Sequence, residues 1–329
     1  MELYKNIILK VLSEGVYTSK INGVDSINYF AFNYKVNVTE TIPILTTRKI
    51  YTKTIIAELL WMISGEKRIT ELKKHTSIWN NWADENDYLE TSYGRFWRFY
   101  PTQNIENAKE KWIKSNNNFL SVKDGVLCFD QLLYILNQIK SKPNSRKHII
   151  SFWHPGNANF SNSAPCPIVL IFNVKGNLLN LHLTQRSCDL AIGFAYDLTL
   201  YSLLLKIVAK EVGLTPNDFS HSIVDAHLYV GENNFRGSFY KDNIKTLQKM
   251  IVDSYGDFNP ISSWIEKTSK HSDDKGLDHI PNILRQISRK PYTLPKVLLP
   301  DKPILDIKLK DIEFLSYQSH DKINFGLVL

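Results

Sequence analysis

Cysteine is scarce in this chain. Cys128, Cys166 and Cys188 are its three cysteines in 329 residues, and no two of them form a CxxC pair. That count excludes a disulfide framework and a cysteine-built zinc site, and it fits a reducing compartment. Long apolar runs are missing too, since none approaches the ~18 residues that a membrane span requires. The opening MELYKNIILKVLSEG has no apolar stretch followed by a small-residue cleavage site, so a cytoplasmic location is expected. No internal repeat with a period of about 20–50 residues is visible. Basic residues outnumber acidic ones, 40 to 33, for a net charge of +7 and a pI of about 9.0, yet they form no long block. Such a bias suits an anionic small molecule as well as nucleic acid, and a polymer partner is not expected.

What is present is an ordinary globular composition, 43% hydrophobic and 12% aromatic, long enough to bury a large core. YTKTIIAELLWMISG carries Ile55, Ile56, Leu59, Leu60 and Ile63 at helical spacing, with Gly65 as a stop. CFDQLLYILNQIKSKP reads as a helix ended near Pro143, and DLTLYSLLLKIVAKEVG as a mostly buried helix ending at Gly213. HIISFWH and VDAHLYV read as strands. IVLIFNVKGNLLNLHLTQRS reads as two strands around Lys175-Gly176-Asn177, the second alternating Leu179, Leu181 and Leu183. Polar stretches at about 104–126 and 234–283 read as surface insertions in one domain spanning 1–329, the second partly helical at DNIKTLQKMIVDS. Strands and helices without regular alternation indicate an α+β fold with a mixed sheet.

Several residues have the chemistry of a site, each beside a plainer role. Cys166, between Pro165 and Pro167, fits a buried structural thiol or a nucleophile that needs nearby positive charge. A hairpin starting after Cys166 and returning near residue 184 brings Arg186 beside it, either as that charge or as a rim arginine. Arg146 and Lys147 fit a surface charge pair or a phosphate fork and point charge. Glu58, on an apolar helix, is either solvated at the edge or buried with a raised pKa, as a proton shuttle requires. His227 and Tyr229 share one face of a strand, for packing or for binding hydroxyls.

PILTTRKIYTKTIIAELLWMISG, SIWNNWADEN, YGRFWR, NSRKHIISFW, APC, QRSCDLAIG and VDAHLY resemble, in order and spacing, the thymidylate synthase family. The resemblance covers roughly 5–103, 127–233 and 284–329, leaving out the two polar stretches. It implies a three-layer fold around a mixed β-sheet and a homodimer packed through the sheets. It also implies a pyrimidine nucleoside monophosphate substrate with 5,10-methylenetetrahydrofolate as cosubstrate and no metal. Cys166 then corresponds to the nucleophile that adds to C6, Glu58 to the carboxylate that manages protons, and Tyr93 to a tyrosine in proton removal from C5. Arg186 and Ser187 correspond to phosphate ligands, and Arg146 and Lys147 to a pair that reaches the partner's site. His227 and Tyr229 correspond to sugar-hydroxyl ligands, and Trp79 and Asp189 to the folate site.

Departures from that pattern change the expected reaction. Asp197 stands where the family reads uracil with an asparagine. An ionised carboxylate only accepts hydrogen bonds, so it opposes uracil O4 and suits the cytosine amino group. The plainer alternative is a cap on the helix that follows. Pro167 replaces a histidine after the nucleophile, and Lys147 replaces a second arginine. The amino-terminal phosphate arginine aligns near Ile21, leaving Lys20, Arg48 or Lys49 as substitutes. INFGLVL keeps an apolar ending like the family's closing tail. An aspartate at position 197 resembles the cytidylate hydroxymethylases, in which water takes the place of the folate's hydride. The expected activity is therefore 5-hydroxymethylation of CMP or, close behind, dCMP. Its rivals are a thymidylate synthase, a (d)UMP hydroxymethylase, and a catalytically silent nucleotide- or RNA-binding homologue.

Overall fold

A computed structural model describes residues 2–19, 23–90, 93–102, 109–158, 163–233, 235–269 and 275–328. The chain opens with α1 (Glu2–Glu14), β1 (Val16–Thr18) and the long β2 (Val24–Asn37). Next come α2 (Thr52–Ser64), α3 (Arg95–Arg98), β3 (Tyr100–Pro101), α4 (Glu110–Asn116), β4 (Leu120–Lys123) and β5 (Val126–Phe129). The central part holds α5 (Gln131–Ser141), β6 (Ile149–Ser151), β7 (Pro167–Lys175), β8 (Leu178–Gln185), β9 (Cys188–Asp189), α6 (Gly193–Val212) and β10 (Thr215–Glu232). The carboxyl-terminal part adds α7 (Arg236–Val252), α8 (Asn259–Thr268), α9 (Ile280–Ile287), β11 (Lys296–Leu298) and β12 (Glu313–Leu315).

The main sheet runs β1-β2-β10-β8-β7-β6, with β9 also paired to β10. β10 lies antiparallel to β2 but parallel to β8 and β9, so the sheet is mixed and the fold α+β. The β7–β8 hairpin turns at Gly176-Asn177, where Lys175 pairs with Leu178 and Gly176 adopts a φ of 60°. On β8, Leu179, Leu181 and Leu183 point inward as their alternation predicts, and the same period turns Gln185 inward.

The helices end where their sequences say they should. α2 stops at Gly65, whose φ of 69° lets its N–H reach the Met62 carbonyl. α6 stops at Gly213 (φ 73°) and buries residues on every side, from Phe194 to Ala209, as a central helix must. α5 is capped by Asp130, which accepts from the Leu133 N–H at 2.9 Å and pairs with Arg98 at 2.8 Å.

The polar stretch 234–283 contributes more to the interior than its composition suggests. Tyr240, Leu247 and Ile251 recur at helical spacing on α7 and are buried, as are Ile261 and Ile265 on α8. Asp278 ties α7 down, accepting from Tyr240 Oη at 2.8 Å and lying 3.5 Å from Arg236 Nε. Among the described residues of the first polar stretch, α4 buries none. No helix among the described residues is long and apolar enough to cross a membrane.

Candidate active site

The ends of β7 and β8 and the start of α6 frame a cavity of about 670 Å³. Cys166, Glu58, Asp197, Tyr93, Ser187, His227, Tyr229, Trp79 and Asp189 all line it.

Cys166 precedes β7, which Pro167 opens by pairing with Gln185, the last residue of β8. This register places Arg186 beside the thiol. The Arg186 N–H donates to the Cys166 carbonyl at 2.9 Å. Its guanidinium donates to the carbonyls of Pro165 at 3.0 Å and Ala164 at 2.8 Å, which leaves Nη2 3.9 Å from Cys166 Sγ. From the other side, the Cys166 N–H donates to Tyr93 Oη at 3.3 Å. Burial pushes the thiol's pKa up, and the Arg186 charge pulls against it.

Two carboxyl groups share the cavity with separated proton affinities. Glu58 is 9% exposed, which removes the solvated-edge alternative. Burial, with the Asp197 charge adding to it, raises its pKa to about 8. Asp197 lies in the second turn of α6, whose N-cap is Ile192, so it is not a helix cap. Its Oδ2 accepts from Gln185 Nε2 at 2.7 Å. Burial lifts its pKa to about 6, opposed by the Gln185 bond and reinforced by Asp189. Near neutral pH, Glu58 therefore keeps its proton while Asp197 has largely lost its own, which separates a proton donor from an acceptor. With Glu58 as the acid and Asp197 as the base, kcat/KM is expected to rise as Asp197 ionises above about 6 and to fall as Glu58 ionises above about 8. A bell with limbs near those values is the expected pH–rate profile; a profile flat from pH 5 to 9 would contradict these assignments.

His227 and Tyr229 project from β10 with ring centroids 5.0 Å apart. His227 Nδ1 lies 3.3 Å from the Asp225 carbonyl, and its Nε2 has no hydrogen-bond partner among the described residues. Trp79 packs against Tyr93 at 5.0 Å and Trp82 at 5.8 Å. Phe325 and Asp189 line the same cavity, so aromatic faces and a hydrogen-bond-accepting carboxylate are both present, a donor set that fits a folate. No His/Cys/Asp/Glu group that could hold a metal occurs among the described residues.

Three of the sequence candidates do not line the cavity. Arg186 is exposed but touches the thiol, whereas Arg146 and Lys147 are exposed on the loop between α5 and β6. Of the substitute phosphate ligands, Arg48 and Lys49 line the cavity and Lys20 lies outside the described residues. Arg48 is buried, donates to the Ala191 carbonyl and lies 4.9 Å from the Phe325 ring centroid. Residues not singled out from the sequence also line the site: Gln185, Trp82 and Tyr196. Gln185 had a signal, the β8 alternation; the tail, whose apolar ending was legible in the sequence, lines the cavity with residues 322–325 and 327–328 and is docked by distant residues, as in the His320 N–H donating to the Thr46 carbonyl at 2.9 Å.

The family model described as Thymidylate synthase matches residues 2–329. The chain is 37% identical over 329 residues to a thymidylate synthase from Haloferax volcanii, covering 98% of this chain and 95% of the relative. It is 29% identical over 332 residues to a thymidylate synthase from Buchnera aphidicola subsp. Baizongia pistaciae (strain Bp), with 100% of both chains covered.

Proposed function

The chain belongs to the thymidylate synthase family of one-carbon transferases that use 5,10-methylenetetrahydrofolate, and from that premise we propose that it hydroxymethylates C5 of a cytidine monophosphate. The observation that carries this reading is the half-buried carboxylate of Asp197, facing the cavity with one oxygen fixed by Gln185 at 2.7 Å. Ionised, it accepts from the cytosine amino group; opposite uracil it would meet the O4 lone pairs, a mismatch of about 1–3 kcal/mol or more in a buried site.

In this scheme the Cys166 thiolate adds to C6 and makes C5 a carbon nucleophile. Arg186, 3.9 Å from the sulfur, favours the thiolate, and with Ser187 it binds phosphate. The Tyr93 hydroxyl, next to the Cys166 backbone, assists removal of the C5 proton. Glu58, protonated near pH 7, donates and recovers protons on the pyrimidine. His227 and Tyr229 take the sugar hydroxyl, while Trp79 and Asp189 orient the folate. 5,10-Methylenetetrahydrofolate supplies the one-carbon unit and water the hydroxyl, giving 5-hydroxymethylcytidylate and tetrahydrofolate with no net oxidation. Arg146 and Lys147, exposed and away from this chain's cavity, serve the partner's site in a homodimer. CMP is placed ahead of dCMP because Lys147 alters the phosphate and sugar contacts.

Both relatives carry the name thymidylate synthase, which favours a uridylate as the second reading. One assay separates the two: CMP, dCMP, UMP and dUMP tritiated at C5, each with 5,10-methylenetetrahydrofolate. Tritium release from cytidylates without dihydrofolate formation is the expected result. Release from dUMP alone, with dihydrofolate formed, would overturn it.

A further inference from the structure

The first polar stretch has the composition of a surface insertion, but the tip of its β4–β5 hairpin carries a charge that meets the interior. Asp124 and Gly125 turn that hairpin, with φ values of 53° and 75°. One oxygen of Asp124, Oδ2, lies 3.1 Å from Arg95 Nη2 and 3.3 Å from Lys67 Nζ. Lys67 Nζ also lies 3.2 Å from Glu90 Oε2. Arg95 is 7% exposed, holds its guanidinium 4.7 Å from the Phe99 ring centroid, and among the described residues pairs with the carboxylate of Asp124. Glu90 and Arg95 flank Tyr93, so the chain on both sides of that tyrosine is tied to one carboxylate. Gly94, the next residue, lies against the Met62 backbone of α2 with no room for a Cβ. Arg98 adds a bond from Nη1 to the Ile63 carbonyl at 3.1 Å. With its backbone braced in this way, Tyr93 accepts the Cys166 N–H at 3.3 Å and packs against Trp79 at 5.0 Å.

We propose that Asp124 is a positioning residue that holds Tyr93 against Cys166 through Arg95 and Lys67. An exposed carboxylate contributes little to an ordinary surface ion pair. Here its partner is buried, so removing the carboxylate leaves a guanidinium uncompensated in the interior. The simplest relief is a shift of α3 that brings Arg95 to water, and Tyr93 lies two residues away. A displacement on the order of 1 Å at a reacting group lowers the rate by up to about 10²-fold. The effect on the reaction rests on reading Tyr93 as the group that assists removal of the C5 proton; the clamp itself does not.

The test starts from Asp124→Asn, which removes the charge and keeps a side chain that tolerates the left-handed turn. Arg95→Met and the double variant complete a double-mutant cycle. Amide hydrogen exchange of the 93–99 peptide, read by mass spectrometry, follows the segment without substrate. Its reporters are the Trp97 and Phe99 N–H groups, which donate to the Gly94 and Arg95 carbonyls at 3.0 and 2.8 Å. In Asp124→Asn, exchange there should rise about tenfold while β7 and β8 keep their rates. With whichever nucleotide the protein turns over, kcat should fall about tenfold and both KM values should stay within about twofold. The tritium isotope effect at C5 should grow, because proton removal becomes the slow step. Lys67→Met, on the other arm, should move these readouts the same way by less. The double variant should lose no more than Arg95→Met alone. Unchanged local exchange in both Asp124→Asn and Lys67→Met would overturn the clamp. So would additive losses in the cycle, or faster exchange through the whole chain, which would mark a merely structural residue. Faster local exchange with an unchanged isotope effect would support the clamp and remove the proton-removal reading of Tyr93.

Discussion

Cys166→Ser is expected to lower tritium release from C5 of the cytidylate by at least about 10⁴-fold, below detection in most assays. The serine hydroxyl ionises far above the thiol range, and one guanidinium 3.9 Å away cannot supply an alkoxide. The change is nearly isosteric at the mouth of β7, so the hairpin register and the Arg186–Cys166 backbone bond survive it. Nucleotide binding, followed by quenching of the tryptophans around the cavity, should stay within a few fold. Full release by the serine variant would remove covalent catalysis through this residue.

Asp197→Asn should reverse base preference, moving the ratio of kcat/KM between cytidylate and uridylate by about 10²-fold or more. Gln185 sets the direction of the change. Its Nε2 donates 2.7 Å to the residue at position 197, so an asparagine there turns its oxygen toward Gln185 and its amide nitrogen toward the base. That nitrogen donates to uracil O4 and opposes the cytosine amino group. Competition between CMP, dCMP, UMP and dUMP in one reaction measures the ratio directly, and an unchanged ratio would show that Asp197 does not read the base. Because the asparagine is neutral, the acid limb of the pH profile near 6 should vanish, while the alkaline limb persists but moves below 8 with the loss of the Asp197 charge.

Much of this site could be read before the fold was known, for physical reasons. Cys166, Arg186 and Asp197 sit in short segments whose strand and helix periods are strong, and a hairpin two residues wide at its turn fixes their neighbourhood. Helix ends at Gly65 and Gly213 were legible because only a left-handed backbone fits there. β2 was not. Its 14 residues mix polar and apolar side chains, and Ala31 breaks the alternation at a φ of 61°. α7 and α8 hid apolar stripes inside polar composition, and the tail joined the cavity through bonds to residues far away in sequence. Burial of Glu58 and the noncap position of Asp197 also needed the fold, since both depend on what packs over a helix face.

The resting state of Cys166 bears on how the protein ages as well as on how it reacts. Peroxides attack the thiolate, and this sulfur is held as a thiol by burial while Arg186 is engaged with the carbonyls of Ala164 and Pro165. The thiolate fraction that Arg186 supports from 3.9 Å is small, and a pyrimidine bound in the cavity draws on it as it forms. The burial that raises the thiol's pKa thus works against oxidation as well as against premature attack, so chemical durability and dependence on substrate share one structural origin.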